Sequence, residues 1–169
     1  KEAVKKDIFR GYRTNAAVEA VSTPGGTGAV RNAIANYSEY GDTVLTTDWY
    51  WGPYKTIAED QGKKLTTFEL FDEEGGFNFA SLMEKSRELL EKQDRLVIIL
   101  NALSVDEWEK LVELLNGLPE DKKIALLVDA AYMDFSGDEE ESRAFLPALE
   151  KVNGNILPMI SYSLSKAYT

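Results

Sequence analysis

Two residue types that carry much of enzyme chemistry are missing from this 169-residue sequence: it has no histidine and no cysteine. Without histidine there is no Ser-His-Asp triad, no imidazole metal site and no side chain whose ordinary pKa lies near neutrality. Without cysteine there is no disulfide, no thiolate metal centre and no thiol nucleophile. No metal site is therefore expected, and chemistry must come from Lys, Tyr, Asp, Glu, Ser, Thr or a borrowed cofactor. No apolar run approaches the ~18 residues of a membrane-spanning helix. No secretory leader is visible, and the chain begins at Lys1 rather than methionine, which suggests a trimmed or incomplete N-terminus. Positive charge is also in short supply, with 19 Lys and Arg against 29 Asp and Glu, a net charge of −10. That balance opposes a general affinity for nucleic acid or anionic membrane. It leaves room for a local anion site built from backbone amides.

What is present is an ordinary globular composition, 44% hydrophobic and 28% charged, in a chain of single-domain length. Residues 1–10 have the pattern of a helix. The run "AAVEAVST" (16–23) is short, apolar and β-leaning, and leads through "PGGTG" (24–28) into the helical "AVRNAIANY". Further strands are expected over 42–48, 65–70, 95–100, 123–132 and 155–165. Between them lie the aromatic turn "WYWGPY" (49–54) and helical patterns over 78–93, 104–117 and 141–152, the last interrupted by Pro147. Ser104 followed by Glu107 is a capping box for the 104–117 helix, and Asn116-Gly117 closes it. Alternating strands and helices predict an α/β fold: three layers, α/β/α, around a mostly parallel sheet. In such sheets ligands bind just outside the carboxyl ends of the strands.

Four strand ends carry chemistry. The glycines of Pro24-Gly25-Gly26-Thr27-Gly28 precede a helix, whose free amides and positive dipole end suit a phosphate. The alternative is a plain structural turn, since neither a Walker lysine nor a clean G-x-G-x-x-G is present. Trp49, Tyr50 and Trp51 offer rings for stacking, or simply pack. Asp129 ends an apolar strand, where a carboxylate needs a partner: a cationic ring nitrogen, a helix terminus or a lysine. Tyr132 follows three residues on. Lys166, after Ser163 and Ser165, is either a surface lysine or a partly desolvated amine able to form a Schiff base with an aldehyde. A phosphate cradle, a stacking ring, a carboxylate for a ring nitrogen and an amine for an aldehyde together match one molecule, pyridoxal 5′-phosphate.

The segments "TPGGTGAV", "WYWGPY", "VDAAYMDF" and "SYSLSKAYT" occur in an order that resembles class I/II aminotransferases. These are fold-type-I pyridoxal-phosphate enzymes of the aspartate aminotransferase superfamily, and nearly all of residues 1–169 resembles their large domain. The resemblance implies transfer of an amino group between an amino acid and a 2-oxo acid, in a cytoplasmic homodimer. It implies that Gly26, Thr27 and Ser163 bind the cofactor phosphate and that Trp51 stacks on the pyridine ring, with Trp49 and Tyr50 as alternatives. It further implies that Asp129 pairs with the ring nitrogen, that Tyr132 binds the ring oxygen, and that Lys166 carries the Schiff base and shuttles the proton. A C–S lyase of the same fold shares these motifs, and an inert α/β module would retain them without turnover.

Two features depart from the family pattern. An N-P-x-G-like motif is expected after "RLVIILN", yet Asn101 runs directly into "ALSVDEW", so residues are expected to be skipped between Asn101 and Ala102. The phosphate-clamping arginine beyond the lysine and the small domain are not represented, so an incomplete large domain is expected.

Overall fold

The structure, a computed structural model, describes residues 1–101, 103–135, 138 and 141–167. Runs of β-branched residues and leucine with no internal charge form its strands. These are β1 (Thr43–Thr47), β2 (Lys64–Phe68), β3 (Arg95–Leu100), β4 (Lys123–Asp129) and β5 (Ile156–Ser161). All are parallel, in the spatial order β2-β1-β3-β4-β5. The helices are α1 (Glu2–Phe9), α2 (Gly25–Tyr37), α3 (Pro53–Glu59), α4 (Phe79–Leu90), α5 (Val105–Asn116), α6 (Phe145–Leu149) and the short α7 (Leu164–Ala167). Among the described residues no helix is long and apolar enough to cross a membrane.

The three expected layers are present. Side chains alternate across a strand with a period of two, and each strand feeds two cores. Val44, Val97, Ile99, Ala125 and Leu127 pack under Val30, Ala33 and Ile34 of α2 and Tyr54, Ile57 and Ala58 of α3. Leu45, Leu96, Ile98, Leu100, Leu126 and Val128 face the other way, toward α4, α5, α6 and Ile8 of α1. Helix α5 buries Trp108, Leu111, Val112 and Leu115, one face at helical spacing. Its start is the predicted capping box: the Ser104 and Glu107 side chains accept from one another's backbone amides. Its end is also as expected, with Asn116 the last helical residue and Gly117 the C-cap, at φ −82°.

Residues 16–23 form no strand. The segment pairs with no neighbour, and its small apolar side chains are largely exposed, as at Val21, so alternating burial has nothing to act on. It starts from an anchor instead, where Tyr12 Oη and the Asn15 amide both donate to the Glu150 carboxylate at 3.0 Å. The expected 141–152 helix is divided into a 3₁₀ turn, Glu141–Arg143, and α6. Pro147 falls in the first turn of α6, where no intrahelical amide is needed.

The amino ends of the strands are tied by side-chain amides. Gln93 accepts from the Thr43 amide at 2.9 Å and donates to the carbonyls of Thr43 at 3.0 Å and Arg95 at 2.6 Å. Asn155 Nδ2 donates to the Lys122 carbonyl at 3.1 Å. Asn116 Oδ1 accepts from the Asn153 amide at 2.7 Å.

Leu126 lies at the centre of the sheet, wholly buried. Leu126→Ala is expected to cost about 2–5 kcal/mol of unfolding free energy in urea denaturation, with an unchanged m-value.

Candidate active site

The glycine loop reaches its place without a preceding strand. Gly25 takes φ +69°, a conformation that side chains rarely adopt. A Cβ on Gly28 would stand 2.7 Å from Pro24 Cδ, so the turn into α2 closes only around a hydrogen. Helix α2 starts after Pro24 with no side-chain cap, and its first amides have no intrahelical acceptors. They lie beside the end of β5: a Cβ on Gly26 would stand 3.6 Å from Ser161 Oγ and 3.8 Å from Ser163 Cβ. Ser163 and Ser165 hydroxyls are 2.9 Å apart. Gly26 and Ser163, far apart in sequence, therefore share one corner with Thr27, which is exposed on the first turn. The free amides and dipole of a 13-residue helix make that corner an anion site.

A second feature follows from the register. Leu100 pairs with Val128, and Asp129 pairs with Ser161. Asn101, Asp129 and Ser161 thus stand in a row at the carboxyl ends of β3, β4 and β5, about 4.8 Å between neighbours. By the two-residue alternation all three share the α2–α3 face. Asp129 accepts a hydrogen bond from the hydroxyl of Tyr54, a fully buried residue of α3. Burial, and after it the Asp129 charge, pushes the Tyr54 phenol well above its ordinary value of 10.0, while a hydrogen bond with Asn101 acts the other way. Tyr54 is therefore a neutral donor across the physiological range.

Aromatic side chains surround Tyr54. Trp51 meets it edge-on at 5.5 Å and Tyr50 stacks on it at 6.5 Å. Trp51 remains 46% exposed and Trp49 75% exposed. Trp51 and Tyr50 therefore stand next to the Asp129 carboxylate through Tyr54, whereas Trp49 turns to Phe71. Lys166 lies in α7, past the end of β5, and not in the strand itself. It is exposed rather than desolvated, with Nζ 5.4 Å from the centre of the Tyr132 ring. Tyr132 is exposed too, on the turn after β4.

The structure brings the sequence-predicted residues together in pairs at one sheet edge: Gly26 with Ser163, and Tyr132 with Lys166, around Asp129. Sequence reasoning missed two residues. Tyr54 was part of the quoted aromatic turn, and its spacing of three from Trp51 on a helix was the available signal. Ser161 lies two residues before Ser163, with its hydroxyl buried and without a hydrogen-bond partner among the described residues. These observations fit pyridoxal 5′-phosphate: a glycine at position 26 where a Cβ would touch Ser161 and Ser163, an unused buried hydroxyl, free helix amides and an oriented carboxylate. Among the described residues no group of acidic side chains could hold a metal ion. The break expected after Asn101 falls on Ala102, outside the described residues.

Comparison with known proteins shows the family and the fold. The family model described as aminotransferase class I and II matches residues 1–169. A histidinol-phosphate aminotransferase of Sulfurisphaera tokodaii is 31% identical over 127 residues, 68% of this chain and 32% of that protein. The crystal structure of an aminotransferase from Anaerococcus prevotii superposes with a TM-score of 0.94 at 33% identity, covering 99% of this chain and 44% of that one. The cytoplasmic aspartate aminotransferase of Saccharomyces cerevisiae shares the fold, with a TM-score of 0.74 at 18% identity over 97% of this chain and 42% of its own. The chain thus spans less than half the length of these relatives.

Removing the phenol tests the Tyr54–Asp129 pair. Tyr54→Phe is expected to destabilise the protein by about 1–3 kcal/mol at neutral pH, because Asp129 loses its donor. The phenol's folded pKa is raised, so its stabilisation is complete below the unfolded value of 10.0 and is lost as pH rises above it. The penalty measured by urea denaturation at successive pH values should therefore shrink above pH 10.0.

Proposed function

The chain belongs to the aminotransferase class I and II family, and on that premise we propose that it forms the cofactor-binding domain of a pyridoxal-phosphate-dependent transaminase. Its substrates are an amino acid and a 2-oxo acid. One observation carries the reading: Asp129 and Ser161 are register partners on one face. A carboxylate and an anion cradle therefore stand side by side at the carboxyl edge, with a lysine just beyond.

Pyridoxal 5′-phosphate, when bound, supplies an aldehyde for an amine and a ring that accepts electrons. The chain's residues divide the remaining work. The amides of Gly26 and Thr27, with the Thr27 and Ser163 hydroxyls, bind the phosphate dianion at the start of α2. Asp129 holds the proton on the ring nitrogen, and the carboxylate is oriented for that by the Tyr54 hydroxyl. A carboxylate in this partly buried place would favour a protonated ring nitrogen. Trp51, exposed beside Tyr54, covers the ring face and excludes water from it. Tyr132 donates its hydroxyl to the ring oxygen. The Lys166 amine would hold the cofactor's aldehyde and, when free, would serve as the base that carries the substrate Cα proton. The Tyr132 ring lies against that amine, its centre 5.4 Å from Nζ.

Borohydride reduction in the presence of the cofactor, followed by peptide mass mapping, tests the assignment. The added mass is expected on the peptide containing Lys166 and is expected to vanish in Lys166→Ala. Label on another lysine, with none on Lys166, would overturn it. In a protein with measurable transamination, Asp129→Ala is expected to lower kcat by at least about 100-fold, the scale of removing one preorganised charge partner.

A further inference from the structure

Ser161 is at the end of β5, fully buried at 0% exposure. Its backbone is occupied, since the Ser161 carbonyl accepts from the Ala130 amide at 2.9 Å. Its side-chain oxygen, by contrast, has no hydrogen-bond partner among the described residues. A buried hydroxyl left in that state is costly, so native structures rarely keep one without a use. The direction of the side chain is given by its neighbours. Ser161 shares the α2–α3 face with Asp129, and its oxygen stands 3.6 Å from where a Cβ on Gly26 would be. Gly26 lies in the first turn of α2, so the unused hydroxyl is aimed at the uncapped start of a 13-residue helix. A helix terminus with free amides and an unpartnered buried donor beside it are two independent features that answer to the same ligand, an anion.

We propose that Ser161 is a ligand of the anion at the start of α2, its hydroxyl donating a hydrogen bond to a phosphate oxygen alongside Ser163 and the α2 amides. The inference rests on the reading of this corner as the cofactor phosphate site, and it adds a residue from inside the strand to ligands drawn from loops. The absence of a side chain at Gly26 then has a second purpose. A Cβ there would be in ordinary van der Waals contact with Ser161 Oγ and would fill the space between that hydroxyl and the ligand.

The test compares Ser161→Ala with the wild-type protein in three measurements. Equilibrium titration with pyridoxal 5′-phosphate should show affinity weakened by about 10- to 100-fold, the loss of a hydrogen bond to a charged group. Titration with pyridoxal, which lacks the phosphate, should show no change. Inorganic phosphate should raise the melting temperature of the wild type more than that of the variant. Without ligand, the variant should melt at the wild-type temperature or above it, because it lacks an unsatisfied buried oxygen. Unchanged affinity for pyridoxal 5′-phosphate, or equal losses for the two forms of the cofactor, would overturn the proposal. So would a large fall in the ligand-free melting temperature, which would make the hydroxyl a part of the core. If the wild-type protein takes up neither the cofactor nor phosphate, the proposed function fails and this inference with it. If it takes up both and Ser161→Ala does so equally well, the inference about Ser161 alone fails.

Discussion

A parallel sheet covered on both faces has no interior position where a polar side chain is welcome. The middle residues of the central strands point into one of two apolar cores, and the buried Thr46 hydroxyl is accommodated by donating to the Ile99 carbonyl at 2.9 Å. Polar groups that must remain available for chemistry are therefore pushed to the strand termini. The alternation of side chains decides which face they use. Because Ile99 and Leu127 point toward α2 and α3, Asn101 and Asp129, each two residues further on, do so as well. The site is a by-product of how the core is divided.

The helices on that face complete the arrangement in different ways. Helix α3 contributes a side chain, Tyr54, whose ring belongs to the core and whose hydroxyl fixes the Asp129 carboxylate. Packing and polar chemistry meet in this one residue, so the aromatic turn before α3 is held in register with the end of β4. Helix α2 contributes backbone instead. Val30, Ala33 and Ile34 seat it on the sheet, and that seating places its uncapped first turn against the end of β5. A net charge of −10 does not oppose an anion here, because the attraction is local and comes from amides rather than from side-chain charge.

Much of this was legible in the sequence where local pattern and tertiary demand coincide. Runs such as "RLVIIL" and "IALLV" can serve only as buried strands between helices, and Ser104 with Glu107 satisfies helix amides wherever the helix packs. The failures arose where tertiary context decides. "AAVEAVST" has the composition of a strand but no adjacent strand with which to pair, and composition is silent on pairing. The lysine was expected at a strand tip, as a surface lysine or a partly desolvated amine; β5 ends at Ser161, and Lys166 is exposed in the helical turn beyond it. Tyr54 and Ser161 went unassigned because each owes its significance to a residue far away in sequence, Asp129 and Gly26 respectively. Such partners become visible only once strand order and register are known.

The two ends of the sheet are finished by opposite means. At the amino end the Gln93 side chain behaves as a borrowed piece of strand, giving and receiving the hydrogen bonds that the Thr43 backbone would otherwise exchange with a neighbour. Several backbone groups at that end are thus paired with side chains of the protein itself. At the carboxyl end, donors and aromatic faces remain uncommitted. A molecule built this way resembles a hinge plate fixed along one edge. The groups that would meet an arriving ligand stand at the carboxyl edge, opposite the edge that Gln93, Asn116 and Asn155 tie together.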